Sequence, residues 1–153
     1  MNLRKAKSED LKTIISWIPD EDKCKLWAGP KVRFPLNIES LSRDIEFSHN
    51  NSFCLMDNEC LVAFGQLLEK ENGHLHLARI IVAPSKRAMG YGRSLCNELL
   101  EITGQRGCGK ISLNVYRNNK NAFKLYEKLG FREISEKSSN EICHMILGNI
   151  KML

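Results

Sequence analysis

Nowhere in this 153-residue chain is there an apolar run near the roughly 20 residues that a membrane-crossing helix needs. Nor does its opening, "MNLRKAKSEDLKTII", contain the apolar centre of a secretory leader. The six cysteines, at 24, 54, 60, 96, 108 and 143, form no CxxC pair and no spacing suited to a metal. Most lie in apolar surroundings such as "FCLM" and "EICHMIL", where a free thiol packs as a small hydrophobe. A disulfide framework, a bound metal and a membrane span are therefore not expected. Internal repeats, low-complexity tracts and a domain-splitting linker are missing too. These absences point to one domain, residues 1–153, in the cytoplasm with its thiols reduced.

What is present has a globular balance. Apolar residues make up 42% and charged residues 27%, enough for a buried core and too apolar for disorder. The net charge of +5 suits a phosphate-bearing partner, whether nucleic acid or small molecule. The basic residues are scattered, apart from Lys86, Arg87 and Arg93. No helix has a continuous basic face and no aromatic platform accompanies one, so no nucleic-acid partner is expected.

Periodicity orders the elements. "NLRKA" alternates as a first strand, and Ser8 offers a cap for a helix carrying Leu11, Ile14, Ile15 and Ile18. "DEDKCKLWAGPKVRFPL" reads as a loop with room for a short helical turn, and "IESLSRDIEFS" as a second helix. "SFCLMD" and "ECLVAFGQLLEK" read as a hairpin turning at Asp57 and Asn58. "HLHLARIIVA" follows as a strand closed by Pro84. Leu95, Leu99 and Ile102 then mark an amphipathic helix, "KISLNVY" a strand, "NAFKLYEKLG" a helix stopped by Gly130, and "EICHMILGNI" a last strand. The order predicts a mixed α/β fold.

A strand, a glycine-rich loop and a helix meet at "PSKRAMGYGRSL". Backbone N–H groups at a helix start point outward, and the helix dipole adds positive charge there. Gly90 and Gly92 would let a diphosphate lie on the backbone, with Arg87 and Arg93 supplying full charges. A tight turn using glycine only for positive φ remains the alternative. A Rossmann fingerprint fails because Leu95 stands at the third glycine position. "GQRGCGKI" mimics a P-loop but places Ile111 where Ser or Thr is needed, and it connects a helix to a strand.

"IIVAPSKRAMGYGRSL" resembles the acetyl-CoA motif Q/R-x-x-G-x-G/A of the GNAT superfamily of N-acetyltransferases, here Arg87, Ala88, Met89, Gly90, Tyr91 and Gly92. "NNKNAFKLYEKLGF" is similar to that family's N-x-x-A-x-x-L-Y-x-x-x-G-F, through Asn119, Ala122, Leu125, Tyr126, Gly130 and Phe131. The resemblance implies a mostly antiparallel sheet, splayed between its fourth and fifth strands and flanked by helices. It implies acetyl-CoA as cosubstrate, with its diphosphate on Arg87–Arg93 and its arm along the backbone of Ile80, Ile81 and Val82, as though it were an added strand. Asn119 would hydrogen-bond that arm, a plain helix cap being the rival for the same residue.

Acetyl transfer to an amine needs a base, a donor to the carbonyl oxygen and a proton for the leaving thiolate. The resemblance makes Tyr126 the acid and a backbone N–H near Ile81, where the strand bulges, the oxygen's donor. Packing on an apolar helix stripe is Tyr126's other reading. His76 falls where several relatives carry a glutamate base on the fourth strand. Asn114 stands where others use a fifth-strand glutamate, and an amide cannot take a proton. Glu69 and Glu71 serve only if the preceding hairpin curls toward the site. "KLWAGPKVRFPL" is the expected wall of the acceptor site, although Trp27 and Phe34 also suit the core. Family members often pair through their last strands, which makes a homodimer an open expectation. The amine acceptor is not legible, and an acyl-CoA-binding sensor without catalysis is the alternative reading.

Overall fold

In a computed structural model that describes residues 1–148, the periodic stretches become seven strands and five α-helices. In chain order they are β1 (Asn2–Lys5), α1 (Asp10–Ser16), α2 (Glu21–Ala28), α3 (Ile38–Asp44), β2 (Ser52–Asp57), β3 (Cys60–Glu69) and β4 (Leu75–Val82). Then come α4 (Tyr91–Gln105), β5 (Ile111–Tyr116), α5 (Lys120–Lys128), β6 (Arg132–Glu133) and β7 (Ile142–Leu147). The strands form one sheet in the order β1-β2-β3-β4-β5-β7-β6. It is mostly antiparallel, with β4 and β5 parallel over Leu75–Leu77 and Ile111–Leu113. This is the mixed α/β architecture that the sequence predicts. Among the described residues no helix is long and apolar enough to cross a membrane.

Several local expectations need correction. The stretch read as a loop contains the two-turn helix α2. Asp20 caps it, accepting the Lys23 N–H, and Glu21 and Asp22 favour the positive end of its dipole. Ser8 does not cap α1. That helix starts at Asp10, whose carboxylate accepts the Lys7 N–H and pairs with Arg4. The hairpin turns at Asn58 and Glu59, with φ of 49° and 64°, one residue later than expected. The last strand ends at Leu147, and residues 149–153 lie outside the described part. Strand β7 pairs with β5 along its length and with β6 at Met145 and Ile146.

The chain divides into two units, residues 1–66 with 79–95, and residues 67–78 with 96–153. In the first, Leu11 and Ile14 of α1, Cys24 of α2, Leu41 of α3 and Phe64 of β3 join one apolar core with Ile81 and Ala83. In the second, Leu75 and Leu77 of β4, Ile111, Leu113 and Val115 of β5, and Cys143 and Met145 of β7 are buried at alternate positions. Fully burying each such aliphatic side chain contributes roughly 1.5–3 kcal/mol. The alternation has a second consequence. It sends His76, Asn114 and His144 to the opposite face.

Three arginine–carboxylate pairs stand at 2.6–2.7 Å: Arg4–Asp10, Arg33–Asp44 and Arg117–Glu133. The neighbouring guanidinium holds each carboxyl below its usual range, with Asp44 and Glu133 at about 2. Carboxyls depressed on folding stabilise fully above their unfolded value of about 4 and lose that contribution as pH falls toward 2. Urea midpoints measured from pH 5 down to pH 2 should therefore fall. Asp44→Asn should lower the midpoint at pH 5 and make the fall shallower.

Candidate active site

Strand β4 breaks at one residue. Arg79 has a φ of 53°, a region that a non-glycine residue enters only when its surroundings hold it there. Its carbonyl accepts the Trp27 indole N–H at 2.9 Å, and its guanidinium Nη1 donates to Gln66 Oε1 at 2.9 Å. Gln66, fully buried, donates through Nε2 to the Ser52 hydroxyl and to the Ile45 carbonyl, each at 3.0 Å. Trp27 and Phe34 both pack against the first unit's core, as their alternative reading has it, and Trp27 also pins the break. Ile80, Ile81 and Val82 follow directly, with Ile81 buried and its two neighbours half-buried.

Beyond β4, Pro84–Lys86 makes a 3₁₀ turn and Arg87 Nε donates to the Val82 carbonyl at 3.3 Å. Ala88 and Gly90 both take positive φ, 62° and 87°. The Ser94 N–H bonds the Gly90 carbonyl at 3.1 Å, which makes Gly90 the entry to α4. Helical geometry therefore leaves the N–H groups of Tyr91, Gly92 and Arg93 without an intrahelical acceptor. A Cβ added at Gly90 would meet nothing within 4 Å, so the chain itself needs glycine there for its φ and not for space. Met89 is 61% exposed on the loop. Tyr91 turns its hydroxyl onto the Asp57 carboxylate, a hydrogen bond that raises its pKa and ties the loop to the end of β2. Three outward N–H groups, a positive helix end, the side chains of Lys86, Arg87 and Arg93, and open space over Gly90 fit a diphosphate.

In the second unit, α5 ends in a Schellman motif. The Gly130 N–H bonds the Glu127 carbonyl and the Phe131 N–H bonds the Tyr126 carbonyl, both at 3.0 Å, with Gly130 at φ 102°. The apolar contact that accompanies such a stop is Phe131 edge-on to Tyr126, their centroids 6.0 Å apart. The spacing Y-x-x-x-G-F thus has a local physical meaning: it stops the helix and fixes the phenol. Tyr126 is 8% exposed, burial pushes its pKa above the ordinary phenol value, and among the described residues its hydroxyl makes no hydrogen bond. Asn119 caps the same helix, its Oδ1 accepting the Ala122 N–H at 3.4 Å. The cap that rivals its cofactor role is therefore present.

The polar face of β4, β5 and β7 brings Ser112, Asn114 and His144 to His74 and His76, which share one face at the start of β4. The Glu71 carbonyl can only accept, so His74 Nδ1, 3.3 Å away, carries its proton. The Ser112 hydroxyl stands 3.3 Å from His74 Nε2 and 2.8 Å from His76 Nδ1. By the same logic His144 Nδ1 donates to Asn114 Oδ1 at 2.7 Å. The His76 and His144 rings stack with centroids 6.4 Å apart. Burial, then Lys137 and His74, lower the His144 pKa and favour its neutral form. Lys70, Glu71 and Lys137 complete the lining of a cavity of ≈ 460 Å³. Glu71 therefore does reach this face, by way of the turn after β3. The signal for His144 lay in its alternation with buried Cys143 and Met145. Its partner could not be read, because the register of β5 against β7 is not local in sequence. Among the described residues no group of His, Cys, Asp and Glu is arranged to hold a metal.

A sheet with one parallel pair, a break in β4 and a glycine loop opening α4 define an acetyltransferase fold. The chain belongs to the acetyltransferase (GNAT) family, whose model it matches over residues 13–131. Over 57 residues, 37% of this chain and 37% of the relative, it is 39% identical to glucosamine 6-phosphate N-acetyltransferase from Trypanosoma brucei brucei. The chain's matches span only 37% and 34% of the length of the first two curated relatives. Among solved structures, it is similar to PaiA N-acetyltransferase from Thermoplasma acidophilum in complex with coenzyme A. That similarity has 22% identity and a TM-score of 0.75, over 96% of this chain and 98% of that one. It is also similar to spermidine N-acetyltransferase from Vibrio cholerae in complex with CoA and spermine, at 24% identity and TM-score 0.74, over 98% and 96%.

Proposed function

We propose that the chain transfers an acetyl group from acetyl-CoA to a primary amine, by direct attack in a ternary complex, as one cytoplasmic catalytic domain. The observation that carries this reading is the glycine loop at the head of α4, with its outward N–H groups and room above Gly90. Arg87 through Arg93 would hold the diphosphate of acetyl-CoA, and the backbone of Ile80–Val82 and the Asn119 amide would hold its arm. Bound there, acetyl-CoA would supply an acetyl group activated as a thioester.

The chain's own groups then divide the proton work. His76, with Nδ1 at 2.8 Å from the Ser112 hydroxyl, accepts the ammonium proton and leaves the amine neutral and nucleophilic. The Ile81 N–H donates to the carbonyl oxygen as negative charge grows on it. Tyr126 holds its proton through neutral pH, because burial has raised its pKa, and gives it up to the departing thiolate. The amine's new bond to the acetyl carbon replaces the carbon–sulfur bond; the second proton, which leaves the nitrogen as the amide forms, restores the Tyr126 phenol, and His76 releases the first to solvent.

The test is calorimetry with coenzyme A, followed by thiol release from acetyl-CoA across a panel of amines. Saturable binding with amine-dependent release is the expected result. Binding without turnover on any amine would leave a non-catalytic acyl-CoA-binding module, and no binding would remove the proposal. Acceptors named for related proteins include an amino sugar phosphate and a polyamine, which are chemically opposite in charge.

A further inference from the structure

The cavity on the polar face of β4, β5 and β7 has a sign of charge that amine transfer alone does not require. Two ammonium groups, Lys70 and Lys137, stand against one carboxylate, Glu71. The remaining ionisable lining, His74, His76 and His144, can only add positive charge on titration. A polyamine carries several ammonium groups and would need acidic walls, whereas this cavity repels it. Its ≈ 460 Å³ falls within the usual range for small ligands.

We propose that this cavity is the acceptor subsite and that its acceptor is a small primary amine that also bears an acidic group, a phosphate or a carboxylate. The inference rests on the acetyltransferase reading and narrows it to a substrate class. Lys70 and Lys137 meet the anion as mobile point charges. The His144 ring, stacked on His76, takes the amine end. Its Nδ1 is committed to Asn114, so the neutral ring presents Nε2 as an acceptor for an N–H donor. Asn114 thereby acquires a role that its inability to take a proton does not exclude: it orients His144.

Matched acceptors test this with the full chain and acetyl-CoA: glucosamine 6-phosphate against glucosamine, O-phosphoethanolamine against ethanolamine, β-alanine as the carboxylate arm, and spermidine. The acid-bearing member of each pair should show a kcat/KM about tenfold or more higher, as expected for a hydrogen bond to a charged group. Lys137→Ala and Lys70→Ala should each narrow that preference, through KM more than kcat. Equal turnover of the paired amines, or preference for spermidine, would overturn the inference while leaving acetyl transfer intact. If no amine is acetylated, the acetyltransferase reading fails first, and the cavity is read separately by histidine proton shifts during titration with glucosamine 6-phosphate. Shifts at His76 and His144 that glucosamine does not produce would keep the anion site; their absence would remove it.

Discussion

Tyr126→Phe should lower kcat by about 10²- to 10⁴-fold, the range for losing a positioned general acid. The protein should stay folded and should keep its affinity for coenzyme A. The reasoning separates the two jobs of one ring. The aromatic body is buried and locked edge-on to Phe131, and phenylalanine retains all of that packing. The hydroxyl makes no hydrogen bond among the described residues, so removing it leaves no buried partner unsatisfied. A thermal midpoint within a few degrees of the parent, with kcat and kcat/KM reduced together, would mark an interaction made in the transition state. Unchanged turnover would show that the phenol is packing alone.

Gln66→Ala should give the largest loss of stability, about 2–4 kcal/mol, read as a lower urea midpoint at constant slope. Gln66 is fully buried and serves three partners at once: Arg79 Nη1, the Ser52 hydroxyl and the Ile45 carbonyl. Removing it leaves the buried Ser52 oxygen and the Ile45 carbonyl short of a donor, and a partly buried guanidinium short of an acceptor. The Arg79 Nε already lacks one, and burial lowers the pKa of the group. A cavity forms in addition. The break in β4 would then be held by the Trp27 bond to the Arg79 carbonyl and by a longer one, 3.4 Å, from Arg79 Nη1 to the Ile45 carbonyl, so kcat should fall beyond what the unfolded fraction explains. A midpoint shifted by less than about 0.5 kcal/mol would mean that water replaces the amide without cost.

The sequence carried the local half of this picture. Gly90 and Gly130 were legible because each is required by a backbone angle at its own position. Six of the seven strands were legible from their apolar positions; β6, Arg132–Glu133, contains no apolar residue and was not. Helix α2 was not, since only Cys24 of its eight residues is buried and the apolar stripe that marks a helix is thin. Its signal was the acidic start, Asp20 to Asp22, which reads equally as a turn. The resemblance implied a bulge near Ile81, but its place at Arg79 was invisible in "LARIIV" because what stabilises it lies on α2 and β3, far along the chain. The histidine cavity was lost in the same way. His74 and His76 are close in sequence, but Ser112 and His144 join them only through the registers of β4 on β5 and of β5 on β7.

The helix stop after Tyr126 constrains how this protein can change over evolutionary time. A Cβ at Gly130 would come within 3.2 Å of Leu147 and would have to sit at a φ of 102°. Drift at that glycine would therefore loosen the turn that orients the phenol before it disturbed any residue near a substrate. On the role proposed for Tyr126, proton donor and helix terminator would be inherited together, as one seven-residue module from Leu125 to Phe131. A descendant that dispensed with the acid could tolerate other residues at both ends of it, and one that kept the acid could tolerate them at neither.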